Sequence, residues 1–460
     1  MNKAQKSRLA IFLATLVFIG IGTFLMIRFA KGYRPTLSGT VKGTGLLAAT
    51  SFPTGAEVYL EDKLTTATDN TLNLDPGTYN IKIKKDGYHT WEKTVQIEEE
   101  LVIQTSATLF PTSPSLEPLT FTGAINPIPS PDGNKVVFAV ASASASTKNG
   151  LYVQELTNSP ISLNRSARQI TRSSRDYDYT TASYTWSPDG SEILVALNSG
   201  LPAQAGAHIV INSTRFNDLE DLIDVTYTLS PILRDWELEL ARLDEVRLTE
   251  LPEFFIETAT NSGITNLYFS PDGEKLLYQA QIDQTIPNNL TPALLASSTQ
   301  PESRELTQNN WYIYDLKEDR NFFIANNSPS ASDSAFVLHK PLLMDDILSP
   351  LPPAELASSP SAFRKLQDNY SLPESISMFN TQYSSIYISS VQWFPDSSHI
   401  ILTSDSGIEI MEYDSTNRLT VYAGPFDPNF VYAWPDASRL VTRIQFSPDT
   451  TPNLYTIKLK

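Results

Sequence analysis

A tetrapeptide that recurs through the last three quarters of the chain limits the fold more than any other feature. In its clearest copy, Tyr184-Thr185-Trp186 lead into Ser187-Pro188-Asp189-Gly190, and Ile193-Leu194-Val195 follow. Proline sets φ near −65° at the first turn position, aspartate tolerates the second, and glycine supplies the positive φ that closes the turn. Each copy predicts a β-hairpin. The tetrapeptide returns intact as Ser130-Pro131-Asp132-Gly133 and Ser270-Pro271-Asp272-Gly273. It returns altered as Phe394-Pro395-Asp396-Ser397, Trp434-Pro435-Asp436-Ala437 and Ser447-Pro448-Asp449-Thr450. The apolar runs after the turns, such as Val136-Val137-Phe138, Leu276-Leu277-Tyr278 and Ile400-Ile401-Leu402, read as strands buried on both faces.

Strands of a second type follow the hairpins, at Gly150–Leu156, Asn310–Leu316 and Gly407–Asp414. Two of these lead through a polar turn into another apolar strand, Asn321–Ile324 and Arg418–Tyr422. Four strands per unit predict small sheets that cannot bury both faces alone, so they stack radially into a propeller. The Ser-Pro-Asp-Gly hairpin with its following strands resembles the TolB-like, WD40-like propeller repeat, in outline over 119–460. The resemblance implies a β-propeller and says little about function. The interval from Asp272 to Asp396 far exceeds the roughly 40–50 residues of a blade, so insertions are expected, and five or six blades fit. One insertion, Pro231–Leu248, has helical spacing at Leu233, Trp236, Leu240 and Leu243; another, 342–380, predicts a short helix near Pro360–Asp368.

The fold class is therefore all-β. Cysteine is absent, which removes disulfides, thiolate metal sites and a cysteine nucleophile. The four histidines, His89, His208, His339 and His399, are scattered with no pair at metal-ligand spacing, so no metal and no cofactor is expected. Residues 1–42 carry seven basic residues and no acid, which leaves 27 basic and 51 acidic groups in the remainder. A body that acidic repels a phosphate backbone, so nucleic acid is excluded as a partner.

Residues 1–8 read as a short basic tail, and 9–30 as a membrane anchor. Leu9–Ile27 hold nineteen residues without a charge, which as a helix span about 28 Å, close to the thickness of a bilayer core. The end of this stretch, Met26-Ile27-Arg28-Phe29-Ala30-Lys31, lacks the small residues of a signal cleavage site. The layout predicts a single-pass protein of the cell membrane, N-terminus inside and body outside. Residues 43–110 alternate at Ala56–Leu60, Tyr79–Lys84 and Thr94–Ile97, with turns at Pro53-Thr54-Gly55, Asp75-Pro76-Gly77 and Asp86-Gly87. They predict a small antiparallel, sandwich-like domain. Pro53-Thr54-Gly55-Ala56 with Val58-Tyr59, then Pro76-Gly77, Tyr79, Ile81 and Gly87-Tyr88, resemble a PEGA domain, with Thr54 in place of the signature glutamate. The resemblance implies a non-catalytic β domain of envelope and surface proteins. Tyr88, His89 and Trp91 either pack the sheet or offer a stacking surface, packing being the commoner use. Pro111–Pro118 read as a linker and 119–460 as the propeller.

No Gly-x-Ser-x-Gly elbow, phosphate loop or dinucleotide fingerprint occurs. Asp176-Tyr177-Asp178-Tyr179 lacks the calcium-loop pattern and reads as a polar loop. Turn chemistry accounts for the aspartates of the Pro-Asp turns, and no catalytic residue is assigned. Function is expected in the irregular insertions, 201–265 and 325–390, or in the channel mouth. The sequence thus points to an envelope protein, not an enzyme, that binds a protein or polysaccharide through its propeller, with the PEGA-like domain as spacer or docking module. The alternative is a propeller lyase or hydrolase with a carboxylate or metal site in the central channel.

Overall fold

The computed structural model describes residues 3–30, 34–35, 41–157, 166–197, 207–292, 294, 298–326 and 390–460. Helix α1 runs over Lys3–Ala30. Its described side chains cover 12–28 and are exposed. Among the described residues no helix is long and apolar enough to cross a membrane. The expected insertion at 325–390 and its short helix lie almost wholly outside the described residues.

The chain divides into two compact units, Met1–Thr112 with Leu294–Pro301, and Ser113–Ala293 with Glu302–Lys460. The first unit holds two facing sheets. One pairs Asn70–Leu74, Gly45–Phe52 and Val102–Thr108; the other orders Lys63–Ala67, Glu57–Leu60, Gly77–Lys84 and Trp91–Ile97. Alternation puts Val58, Ile81, Ile83, Trp91 and Val95 into a core shared with Leu47 and Ala49. The sandwich is not purely antiparallel, because Gly45–Phe52 and Val102–Thr108 pair in parallel. A parallel pair needs a crossover, and the whole second sheet supplies it. Thr299 Oγ1 and Gln300 Nε2 donate to Thr94 O at 3.0 and 2.7 Å, so residues from far along the chain cap this domain's edge strand.

Among the described residues the second unit holds five sheets of three or four strands and a two-stranded sheet of Gln284–Thr285 with Glu305–Leu306. Sheet 1 runs Ile125–Pro129, Lys135–Val140, Gly150–Glu155 and Arg168–Arg172. Sheet 2 has three strands, Ser183–Trp186, Glu192–Ala196 and His208–Asn212. Sheet 3 runs Ile264–Phe269, Lys275–Ala280, Asn310–Asp315 and Arg320–Asn326; sheet 4 runs Val391–Trp393, His399–Ser404, Gly407–Glu412 and Leu419–Tyr422. Sheet 5 has Val431–Ala433, Arg439–Ile444 and Asn453–Lys458, and its fourth strand is Leu116–Pro118, paired antiparallel with Tyr455–Ile457. Part of the stretch read as a linker, 111–118, is thus the strand that joins the start of this unit to its end.

Apolar packing links the sheets in series. Val137 and Leu151 of sheet 1 meet Trp186 and Val195 of sheet 2, while Val136 and Phe138 on the opposite face meet Tyr432 and Val441 of sheet 5. Leu277 and Trp311 of sheet 3 meet Trp393 and Ile400 of sheet 4. Between sheets 4 and 5, Gln392 Nε2 donates to Val431 O at 3.0 Å. Helices take over between sheets 2 and 3. Leu229 and Leu233 of α2 (Leu229–Leu248) cover Leu194, and Phe255 of α3 (Glu253–Thr260) packs on Tyr278 and Tyr314. Among the described residues the result is a propeller-like series of these sheets, in which a strand from the beginning of the unit joins the sheet at its end and a helical insertion stands between sheets 2 and 3.

Candidate functional site

The six Pro-Asp turns all form, with a backbone bond from the fourth residue to the first of 2.8–3.2 Å. Five connect the first and second strands of the five sheets. The sixth, Ser447–Thr450, connects the second and third strands of sheet 5, which is why it follows Asp436 so closely.

The serine of each intact copy is buried and bonded twice. Ser187 Oγ donates to Asp189 Oδ1 at 2.6 Å and accepts from Glu192 N at 2.9 Å. Ser130 does the same with Asp132 and Lys135 N, and Ser270 with Asp272 and Lys275 N. Each aspartate also accepts a backbone N–H two residues on, from Asn134, Ser191 or Glu274. These carboxylates are held within their own turns. The bond from Ser187, then the backbone of Ser191, holds the Asp189 carboxyl below the ordinary carboxylate range. Burial pushes the Asp132 carboxyl up, but bonds from Ser130 and Asn134 and the charge of Lys135 outweigh it.

In the altered copies at Phe394 and Trp434 other groups take the serine's place. Phe394 is buried, and His399 Nδ1 bonds Asp396 Oδ2 at 2.8 Å. Burial works against ionisation of Asp396, yet the bond to His399 leaves its carboxyl below the ordinary range. At Trp434 the Arg439 guanidinium lies 4.9 Å over the ring.

The other residues singled out from sequence are used structurally. Trp91 is buried in the first unit's core, Tyr88 packs against it, and the His89 backbone donates to Phe110 O. Asp178 Oδ1 accepts from Thr180 N and Oγ1 at 2.9 and 2.7 Å, and Tyr179 is buried between sheets 1 and 2. His208 is half-buried, and burial depresses its imidazole against the pull of Asp224. His339 lies outside the described residues. Among the described residues no three His, Asp or Glu side chains are grouped to hold a metal ion.

What remains is the insertion between sheets 2 and 3. It starts by replacing the fourth strand of sheet 2. Asn217 Oδ1 accepts from Asn212 N at 3.2 Å, and Asn217 Nδ2 donates to Asn212 O at 2.9 Å. Further along, Val225 N donates to His208 O, and Thr226 Oγ1 accepts from His208 N. The sheet edge is therefore covered without a strand. Beyond it, α2 buries Leu229 and Leu233 and turns Asp235, Leu238, Glu239 and Arg242 outward. Those four share one face by helical spacing. Ile223 is 72% and Tyr227 99% exposed. Residues 217–257 hold twelve acidic and three basic residues. Of the described ones, Asp218, Glu220, Asp221, Asp224, Asp235, Glu239, Glu250, Glu253 and Glu257 are all exposed. Among the described residues Glu239 pairs with Arg242 at 3.8 Å. The sequence located this insertion, but its exposed apolar residues are indistinguishable from core residues until the helix face is known.

An acidic, partly apolar insertion on a chain of small sheets defines a propeller-like protein whose distinguishing surface is a loop and helix cluster. Comparison with known families adds that residues 44–113 match the PEGA domain. A comparison with curated proteins finds no match. Among solved structures, the chain is similar to TolB from Acinetobacter baumannii at 12% identity, covering 83% of this chain and 60% of that one, with a TM-score of 0.18. It is also similar to the β-propeller domain of the Trilobed protease from Pyrococcus furiosus, at 10% identity, covering 90% and 96%, with a TM-score of 0.19. At such scores these likenesses carry no weight for the fold, which rests on the sheets themselves.

Proposed function

We propose that this chain is a cell-envelope protein that binds a protein or polysaccharide partner through its propeller and does not catalyse a reaction. The observation that carries the reading is a contrast in how acidic groups are used. The repeated aspartates are bonded into their own turns, whereas the acids of the 217–257 insertion stand exposed beside Ile223 and Tyr227. Binding surfaces concentrate on loops held by a rigid frame. The PEGA domain over 44–113 serves as spacer or docking module. Helix α1, with no charge from Leu9 to Ile27, anchors the protein in the cell membrane, the basic N-terminus inside and the acidic body outside. A photocrosslinker at position 227 should capture one partner protein or glycan in envelope preparations. Capture of nothing, or turnover of a model substrate abolished by a single carboxylate substitution, would overturn the reading.

A further inference from the structure

We infer that the 217–257 insertion docks a cationic amphipathic segment of a partner protein, in which Lys or Arg alternates with apolar side chains. This rests on the binding reading above and gives it a surface and a partner chemistry. Two features of the surface are interleaved. Ile223 lies between Asp221 and Asp224, and Leu238 shares its helix face with Asp235 and Glu239. Such a surface rewards a ligand that brings both charge and apolar area, because apolar contact excludes water and strengthens the neighbouring charge pairs.

Charge selects among occupants. A strongly negative field repels anionic lipid headgroups and nucleic-acid phosphates. It attracts basic protein segments and speeds their association. The described acids of the insertion are exposed, and the Glu239–Arg242 pair at 3.8 Å is long and exposed. Asp224 is held ionised by the hydroxyl and backbone N–H of Thr226, so its charge persists at neutral pH.

The test uses the full chain in detergent and two labelled synthetic helices of about 18 residues, long enough to form a stable amphipathic face. One carries Lys on one face and Leu on the other; the second replaces Leu by Ser. The Lys/Leu probe should bind at least about tenfold more tightly than the Lys/Ser probe, a difference of about 1.4 kcal/mol. The double variant Ile223→Ser with Tyr227→Ser should abolish that preference. Both side chains are exposed, so thermal unfolding should not change. The triple variant Asp218→Asn, Glu220→Gln, Asp221→Asn should weaken the Lys/Leu probe by about tenfold or more. Neutralising the exposed Glu98, Glu99 and Glu100 of the first unit should leave it unchanged. Equal weakening by both triple variants, or no preference for the apolar probe, would overturn the docking surface. That outcome would leave the broader binding reading standing, because that reading is decided by crosslinking in the envelope.

Discussion

The three Ser-Pro-Asp-Gly turns and the turns at Phe394 and Trp434 perform one task with different chemistry. In the intact copies a buried serine hydroxyl links the turn aspartate to the first residue of the next strand. In the copies at Phe394 and Trp434 the same position is a large aromatic side chain that packs, and the link moves to His399 at Asp396 or is replaced by Arg439 over Trp434. The backbone bond of the turn survives in both sets. What the hairpin requires is therefore the Pro-Asp pair and a residue that accepts positive φ. Other turn residues bond to the neighbouring sheets: Asp272 N donates to Ser397 Oγ across sheets 3 and 4, and Tyr432 OH donates to Gly133 O across sheets 5 and 1.

The largest effect should come from forcing one solution onto the other. Phe394→Ser restores the motif in name, but Phe394 is fully buried and stacks edge-on against His399. A destabilisation of roughly 3–5 kcal/mol is expected, as for other large-to-small changes in a core. Urea unfolding checks this, and a neutral result would show that the aromatic is dispensable. Next in size is Ser270→Ala. It strips Asp272 of a donor and leaves the Lys275 N–H without its acceptor inside the protein. The expected cost is about 1–3 kcal/mol. A cost below that of an exposed serine would mean water replaces the hydroxyl.

The repeat made the hairpins legible because proline, aspartate and glycine act locally, through φ and short-range bonds. Three features stayed hidden because their partners lie far away in sequence. Leu116–Pro118 is only three residues long and finds its place against Tyr455–Ile457 at the other end of the unit. The parallel pairing of Gly45–Phe52 with Val102–Thr108 depends on the sheet folded between them. The turn at Ser447 carries the motif yet occupies another hairpin, so counting turns does not count sheets. The candidate surface was legible as a helix-spaced insertion. Which of its apolar residues face out was not, since Leu233 and Leu238 differ only in phase around α2.

The serine link also sets a pH dependence. Asp189 has a folded-state value below its unfolded one, so it contributes stability that is fully present above the ordinary carboxylate range, near 4, and is lost as pH falls through the folded value. Ser187→Ala removes the main cause of that depression. Its stability deficit against the native chain, about 1 kcal/mol at pH 7, should shrink as pH drops below about 4. Paired unfolding curves at pH 7 and pH 3 measure the difference. A deficit constant with pH would assign the serine a packing role instead.

A last pair of substitutions separates the two demands on the glycine. A Cβ at Gly273, where φ is 76°, meets nothing within 4 Å, so Gly273→Ala tests backbone strain alone. Strain of about 1–2 kcal/mol for an L-residue there is partly offset by the lower entropy of the unfolded alanine chain, for a net loss of about 0.5–1 kcal/mol. At Gly133, with φ 72°, a Cβ would sit 2.2 Å from the Tyr432 hydroxyl, which bonds Gly133 O at 2.6 Å. Gly133→Ala should therefore lose the strain term and that inter-sheet bond together, exceeding Gly273→Ala by about 1 kcal/mol. Measured in the Tyr432→Phe background, Gly133→Ala should cost about as much as Gly273→Ala, because that background already lacks the clashing atom and the bond. If the excess persists in the double variant, the turn itself, and not its contact with sheet 5, limits what residue 133 can be.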